Sequence, residues 1–272
     1  MSAMRILLTN YDGIRAPGIR ALYHALAGLG DVRVFAPLTV QSATSHGVTF
    51  HKPLMVRDVS VNDDYGGIAI DGRPADCVKL AITCLWEQRL GGRPDLVISG
   101  MNAGMNAGIH ILYSGTVGAA IEGAFLGVPA IAVSLHFGAY ESVRWEEASK
   151  RARYAIDRIL SFGALPPHSM FNVNIPLTEE EARGDSTGSG AMPPIKVVPM
   201  NLAAVRDEYD RRQNPSGQDY FWIRGDGLDF DHTTAGSDVE AIFDRSITIT
   251  PLQYDLTDRE QLSVWRGRLE GG

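Results

Sequence analysis

Three short polar clusters hold the side chains with the most chemistry to offer. Asp12 follows the apolar run Ile6-Leu7-Leu8, Ser42 lies in a polar stretch beyond Val32-Arg33-Val34-Phe35, and Asn102 follows Leu96-Val97-Ile98. A carboxylate, a hydroxyl and an amide oxygen are hard ligands that suit Mg²⁺ or Mn²⁺, and no His/Cys spacing of the zinc type accompanies them. Taken singly, each has an ordinary explanation, because Asp-Gly, Gln-Ser and Asn-Ala-Gly are common turn chemistry. Only their convergence would make a site.

The stretch from Asp95 to Gly123 adds a second kind of chemistry. Tyr113-Ser114-Gly115-Thr116 opens a Gly/Ala-rich segment with helical spacing. The first N–H groups of such a helix lack intrahelical partners and sit at the positive end of its dipole, a setting that receives phosphate. Without further context, a plain N-cap is the favoured reading of Ser114 or Thr116. Asn106 either reaches the same anion or closes its own turn. His46 and His110 lie closest to these clusters and are placed for proton transfer. His24, His51, His136 and His168 read as packing or surface residues, and His232 matters only if its segment folds over a site.

Elements that position these groups alternate along the chain. Apolar runs at residues 6–8, 32–35, 96–99, 129–135 and 170–175 read as buried strands, and residues 18–29, 74–90, 115–126 and 143–162 carry helical periodicity. This alternation predicts an α/β fold, a doubly wound and mostly parallel sheet flanked by helices, whose ligands bind at the carboxyl ends of the strands. Residues 178–194, acidic and then rich in Gly, Ser and Thr, read as a surface loop. Strand-like alternation at 195–200, 219–223 and 246–250 gives the last third the look of a β-rich arm. The expected organisation is a single domain over 1–272, with an α/β core over 1–177 and a β-rich oligomerisation arm over 195–257. Tyr220, Phe221 and Trp222 in that arm favour subunit exchange and a homodimer or homotetramer.

Composition sets the outer limits. With 272 residues, 44% hydrophobic and 21% charged, the chain suits one sizeable globular core. Its net charge of −7 argues against binding to nucleic-acid duplexes or anionic membranes, so an anionic substrate must be held by local groups. No apolar run reaches roughly 18 residues and no leader pattern precedes the first strand, which makes the cytoplasm the expected location. Cys77 and Cys84, seven positions apart in a helical stretch, fit neither a zinc pattern nor a disulfide and read as buried thiols.

The ordered motifs resemble the SurE family, the survival-protein-E nucleotidases. They comprise residues 5–13 with Ala16-Pro17-Gly18, Ala36-Pro37 with Gln41-Ser42, Asp71-Gly72-Arg73-Pro74-Ala75-Asp76, Ser99-Gly100-Met101-Asn102-Ala103-Gly104, Tyr113-Ser114-Gly115-Thr116, Asn172-Val173-Asn174-Ile175-Pro176 and residues 246–252. The resemblance implies a Rossmann-like core with a C-terminal arm that swaps between subunits. It implies a phosphomonoesterase, dependent on Mg²⁺ or Mn²⁺, acting on nucleoside 5′- or 3′-monophosphates. It assigns Asp12, Ser42 and Asn102 to the metal, with Asp12, Asn102 and Tyr11 at the catalytic centre, and Asn106, Ser114, Gly115 and Thr116 to the phosphate.

Two departures stand out. Tyr11 occupies the place of the first of two adjacent aspartates, leaving Asp12 as the sole formal anion of the metal set. A homologue that binds a nucleotide or another anion, with hydrolysis lost or run without metal, is the competing reading that Tyr11 raises. Arg73 replaces the usual Thr of the Gly-Thr-Pro turn, where it either donates to an anionic substrate or lies on the surface; Leu38 stands where an Asp is usual.

Overall fold

The computed structural model describes residues 3–41, 44–178, 192–203, 208–224 and 233–270. Ser42 and His232, with almost all of the expected loop at 178–194, lie outside the described residues.

Met4–Thr9 (β1), Leu96–Ala103 (β5) and Ala130–Leu135 (β6) are the middle of a nine-stranded sheet, and β5 and β6 are buried along nearly their whole length. Both faces of these strands are covered, which is why their sequences are continuous apolar runs without polar alternation. The two-residue period of a strand then sorts neighbours to opposite layers. Ile6 and Leu8 join Ile19, Leu22, Ala152 and Ile156 on one face, while Leu7 joins Phe35, Val78, Trp86, Val117 and Ala120 on the other. Phe35 stacks on Trp86 with ring centroids 5.8 Å apart.

Pro17–Ala25 (α1) and Trp145–Leu160 (α5) cover the first face. The second face is covered by Pro74–Leu80 (α2), continuing through a wider turn at Ala81–Leu85 into Trp86–Leu90 (α3), and by Gly115–Phe125 (α4). The remaining strands are Gly30–Pro37 (β2), Val56–Asn62 (β3), Tyr65–Ile70 (β4), Met170–Ile175 (β7), Ile195–Val197 (β8), Glu208–Gln213 (β9), Asp219–Arg224 (β10) and Ile247–Leu252 (β11). Asp238–Phe243 (α6) and Arg259–Leu269 (α7) complete the described elements.

The sheet runs β3-β4-β2-β1-β5-β6-β7-β11-β8, parallel from β4 through β7, with β3 and β11 antiparallel at its two flanks. This is the Rossmann-like α/β fold expected from the sequence. Successive crossovers diverge at β1, which pairs with β2 on one side and β5 on the other, so the carboxyl ends of β1 and β5 flank the crevice where such folds bind ligands.

Four details differ from the sequence expectation. β5 does not stop at Ser99 but continues to Ala103, with its register to β6 shifting between Ser99 and Asn102. Gly100 makes this possible, since a Cβ there would lie 2.3 Å from the Val133 carbonyl oxygen. The hairpin β3-β4 was not foreseen, because Val56–Asn62 is an edge strand with its outward side chains in solvent. Of the expected arm at 195–257, β8 and β11 belong to the central sheet, and the antiparallel pair β9-β10 alone forms a separate sheet among the described residues. Cys77 is a buried free thiol, but Cys84 is only half-buried.

Candidate active site

A tight turn carries the first loop out of β1. The fully buried Asn10 closes it, donating Nδ2–H to the Gly13 carbonyl (2.9 Å) and accepting from the Gly13 N–H (3.2 Å), with Gly13 at φ +95°. Tyr11 and Asp12, at the tip of this turn, are half-buried. The Ala103 N–H at the end of β5 and the Tyr11 hydroxyl lie beside the Asp12 carboxylate and favour its charged form. Burial outweighs them and pushes the Asp12 carboxyl up to about 6. Burial also pushes the Tyr11 phenol up to about 12, helped by the charge of the neighbouring Asp12.

Asn102 is 3% exposed and directs its Nδ2–H to the Gly104 carbonyl at 2.6 Å. Its Oδ1 is buried with no hydrogen-bond partner among the described residues. An orphaned buried acceptor costs about 1–3 kcal/mol, so this oxygen calls for a ligand. A hard divalent cation fits the donors present: the Asp12 carboxylate and the Asn102 amide oxygen project from adjoining strand ends. Among the described residues no three His, Cys, Asp or Glu side chains gather to hold a metal, so such a cation would draw on neutral oxygens beyond Asp12.

The phosphate-cradle candidates lie beyond Asn102. Asn106 is locked in place by the end of β7: its N–H donates to Asn174 Oδ1 (2.8 Å), and its carbonyl accepts from Asn172 Nδ2 (2.7 Å) and Asn174 Nδ2 (3.1 Å). Its own Nδ2 donates to Ser134 Oγ at 2.6 Å, leaving a second amide N–H for another acceptor. Ser114 caps α4 by accepting from the Val117 N–H (3.1 Å), so its N-cap reading holds. Gly115 packs so closely that a Cβ would lie 3.0 Å from Thr44 Oγ1, 3.3 Å from Pro74 Cγ and 3.4 Å from Tyr11 Cβ. Thr116 is fully buried, and its Oγ1 has no partner among the described residues.

Tyr11, Asn102, Asn106, His110, Ser114 and Gly115 all line one cavity of about 530 Å³, as do His136 and Phe137. The structure thus brings Tyr11, Asn102, Asn106, Ser114 and Gly115 together in one cavity, while Asp12 and Thr116, each next in sequence to a lining residue, are not in its lining. His46 is committed elsewhere. Its Nε2 lies 2.6 Å from the Glu122 carboxylate, which also takes Lys79 Nζ at 2.8 Å. That carboxylate is 3% exposed; burial raises its pKa, but His46 and Lys79 together hold it below the usual range.

Several contributors were not foreseen from sequence. Ser134, Asn172 and Asn174 fix Asn106, and Asp238 in α6 holds the same loop from below, accepting from the N–H groups of Gly108 (2.8 Å), Asn201 (2.7 Å) and Val239 (2.8 Å). Tyr140 stands near enough to Asp12 to have its phenol pushed up by that charge as well as by burial. The alternating buried asparagines of β7 were the available signal; Tyr140 and Asp238 carry none locally.

A family model described as Survival protein SurE matches residues 6–191. The chain belongs to the SurE family. The 5′-nucleotidase SurE of Heliobacterium modesticaldum is 40% identical to it over 97% of this chain and 92% of that protein. The 5′-nucleotidase SurE of Carboxydothermus hydrogenoformans is 38% identical over 98% of each. Among solved structures, the SurE protein from Aquifex aeolicus superposes with a TM-score of 0.78 at 35% identity, covering 97% of this chain and 99% of that one. The likeness to that SurE structure therefore extends over nearly the whole chain.

Proposed function

We propose that the chain is a phosphomonoester hydrolase that removes phosphate from nucleoside 5′- or 3′-monophosphates with the help of Mg²⁺ or Mn²⁺. One observation carries this reading: Asn102, with its orphaned amide oxygen, and Tyr11, the chain neighbour of Asp12, line one crevice with the N-terminus of α4. The relatives named 5′-nucleotidase SurE support the substrate class.

The N–H groups of Gly115 and Thr116 precede the first intrahelical bond of α4, which runs from the Gly118 N–H to the Ser114 carbonyl (2.9 Å). They receive the phosphate oxygens at the positive end of the helix. Asn106 adds its second amide N–H, held in register by Ser134, Asn172 and Asn174. Asp12 and Asn102 would hold the divalent cation, together with Ser42; when bound, it neutralises phosphoryl charge and acidifies the attacking water. His110, in the cavity wall, is the titratable group placed to give a proton to the leaving ribose oxygen.

The test is phosphate release from a panel of nucleoside 5′- and 3′-monophosphates with Mn²⁺, Mg²⁺ or a chelator. Release that requires the cation is expected. Release indifferent to the chelator, or none from any nucleotide, would overturn the proposal.

We further propose a cytoplasmic homodimer or homotetramer, with the core over 1–177 and the exchanging surface in the β9-β10 hairpin. Tyr209, Phe221 and Ile223 are exposed on one face of that hairpin and Trp222 on the other, apolar surface that a second copy would cover. None of the described helices is long and apolar enough to cross a membrane. Sedimentation at micromolar concentration should give a dimer or tetramer; a monomer contradicts this assembly.

A further inference from the structure

We propose that a second cavity, on the other side of Tyr11 and Gly115, binds a non-reacting second phosphate of the substrate through Arg73, so that the preferred substrate is a nucleoside 3′,5′-bisphosphate. This rests on the nucleotidase reading above and names the substrate class more narrowly.

The cavity has a volume of about 560 Å³ and is lined by Gln41, Thr49, Phe50, His51, Lys52 and Arg73. Its two walls are tied together by one buried carboxylate. Asp76, 2% exposed, accepts from the Arg73 N–H (2.9 Å), the Thr49 N–H (2.7 Å) and the Thr49 hydroxyl (2.6 Å), which fixes the Arg73 turn against the loop that follows Gly47. The guanidinium lies over Gly47, where a Cβ would come within 2.4 Å of Nη1.

Charge in this cavity is positive and incompletely paired. Lys52 lies 3.7 Å from Asp71, but the Arg73 guanidinium has no acidic partner among the described residues. In a chain of net charge −7 an unpaired guanidinium beside a cavity is a specific anion donor, and its planar fork matches two phosphate oxygens. Phe50, 78% exposed, offers a flat apolar face beside it.

The two cavities adjoin. The Gln41 N–H donates to the Tyr11 carbonyl at 3.0 Å, and Pro74, next to Arg73, packs on Gly115, while Tyr11 and Gly115 line the catalytic cavity. A ribose lying across this junction, phosphorylated at its 3′ and 5′ positions, would set one phosphate at the α4 N-terminus and the other at Arg73. Water attacks the phosphorus in the first cavity and that P–O ester bond breaks, giving inorganic phosphate and a nucleoside monophosphate.

The test compares full-length wild type, Arg73→Ala and Arg73→Lys in phosphate release from adenosine 3′,5′-bisphosphate, adenosine 5′-monophosphate and tripolyphosphate. Wild type should prefer the bisphosphate. Arg73→Ala should lower its kcat/KM by about tenfold, the loss of one exposed charge-assisted contact, while the monophosphate changes less than about twofold and Arg73→Lys falls between. No preference in wild type, equal losses on every substrate, or a loss confined to tripolyphosphate would overturn the assignment. Should no nucleotide turn over, the nucleotidase reading fails, and calorimetric binding of the bisphosphate decides this inference on its own. Affinity about tenfold weaker in Arg73→Ala supports it, and equal affinity overturns it.

Discussion

The Tyr11 phenol and the carboxylate of its chain neighbour, Asp12, lie close enough that the Asp12 charge helps push the phenol up. The pair sits at the end of β1, next to the orphaned Asn102 oxygen at the end of β5. Where a second carboxylate would add charge for a cation, Tyr11 brings a neutral phenol, which weakens the electrostatics of a cation site there.

Tyr11→Asp should therefore tighten Mn²⁺ binding at least about tenfold, read by titration calorimetry. Two unit charges about 4 Å apart interact by roughly 4 kcal/mol at intermediate dielectric, and repulsion between the two adjacent carboxylates offsets part of that gain. The same repulsion should cost the metal-free variant about 1–2 kcal/mol of stability in urea unfolding. Unchanged Mn²⁺ affinity would show that Tyr11 does not limit the site.

Glu122→Gln should destabilise the protein by about 2–4 kcal/mol at pH 7, since Lys79 and His46 lose the buried carboxylate they share. Glu122 is held below its ordinary value of 4.5, so its contribution is fully present above that pH and fades as pH falls through the lower folded value. The gap between wild type and variant in urea unfolding should accordingly narrow only below about pH 4.5. A gap that is constant from pH 7 to pH 3 would rule this out.

Asp238→Asn tests the support beneath the cradle. An amide in place of the carboxylate turns an N–H₂ toward the Gly108, Asn201 and Val239 donors. A loss of about 2 kcal/mol in stability and a rise in KM for the nucleotide, with kcat less affected, are expected. A KM equal to that of wild type would mean that the 106–110 loop does not depend on Asp238.

The parallel core was legible because β1, β5 and β6 are buried on both faces, and burial on both faces writes an unbroken apolar run. The extension of β5 to Ala103 was not legible. Gly100 reads as a strand breaker, and its actual role, leaving room for the Val133 carbonyl, depends on a strand thirty residues away. Likewise β11 pairs antiparallel with β7 across more than seventy residues, a choice that local alternation at 246–250 cannot express. In the site, Asp12, Asn102, Asn106, Ser114 and Gly115 could be picked out by their places after strands and before a helix. His46 could not be separated from them, because its partner Glu122 lies inside what reads as a Gly/Ala helix face.

The most direct measurement is anomalous scattering from crystals soaked in Mn²⁺. A peak is expected within about 2.5 Å of an Asp12 carboxylate oxygen and of Asn102 Oδ1, strengthened in Tyr11→Asp and absent in Asp12→Ala. A featureless map at this junction, or manganese bound only elsewhere on the molecule, would contradict it.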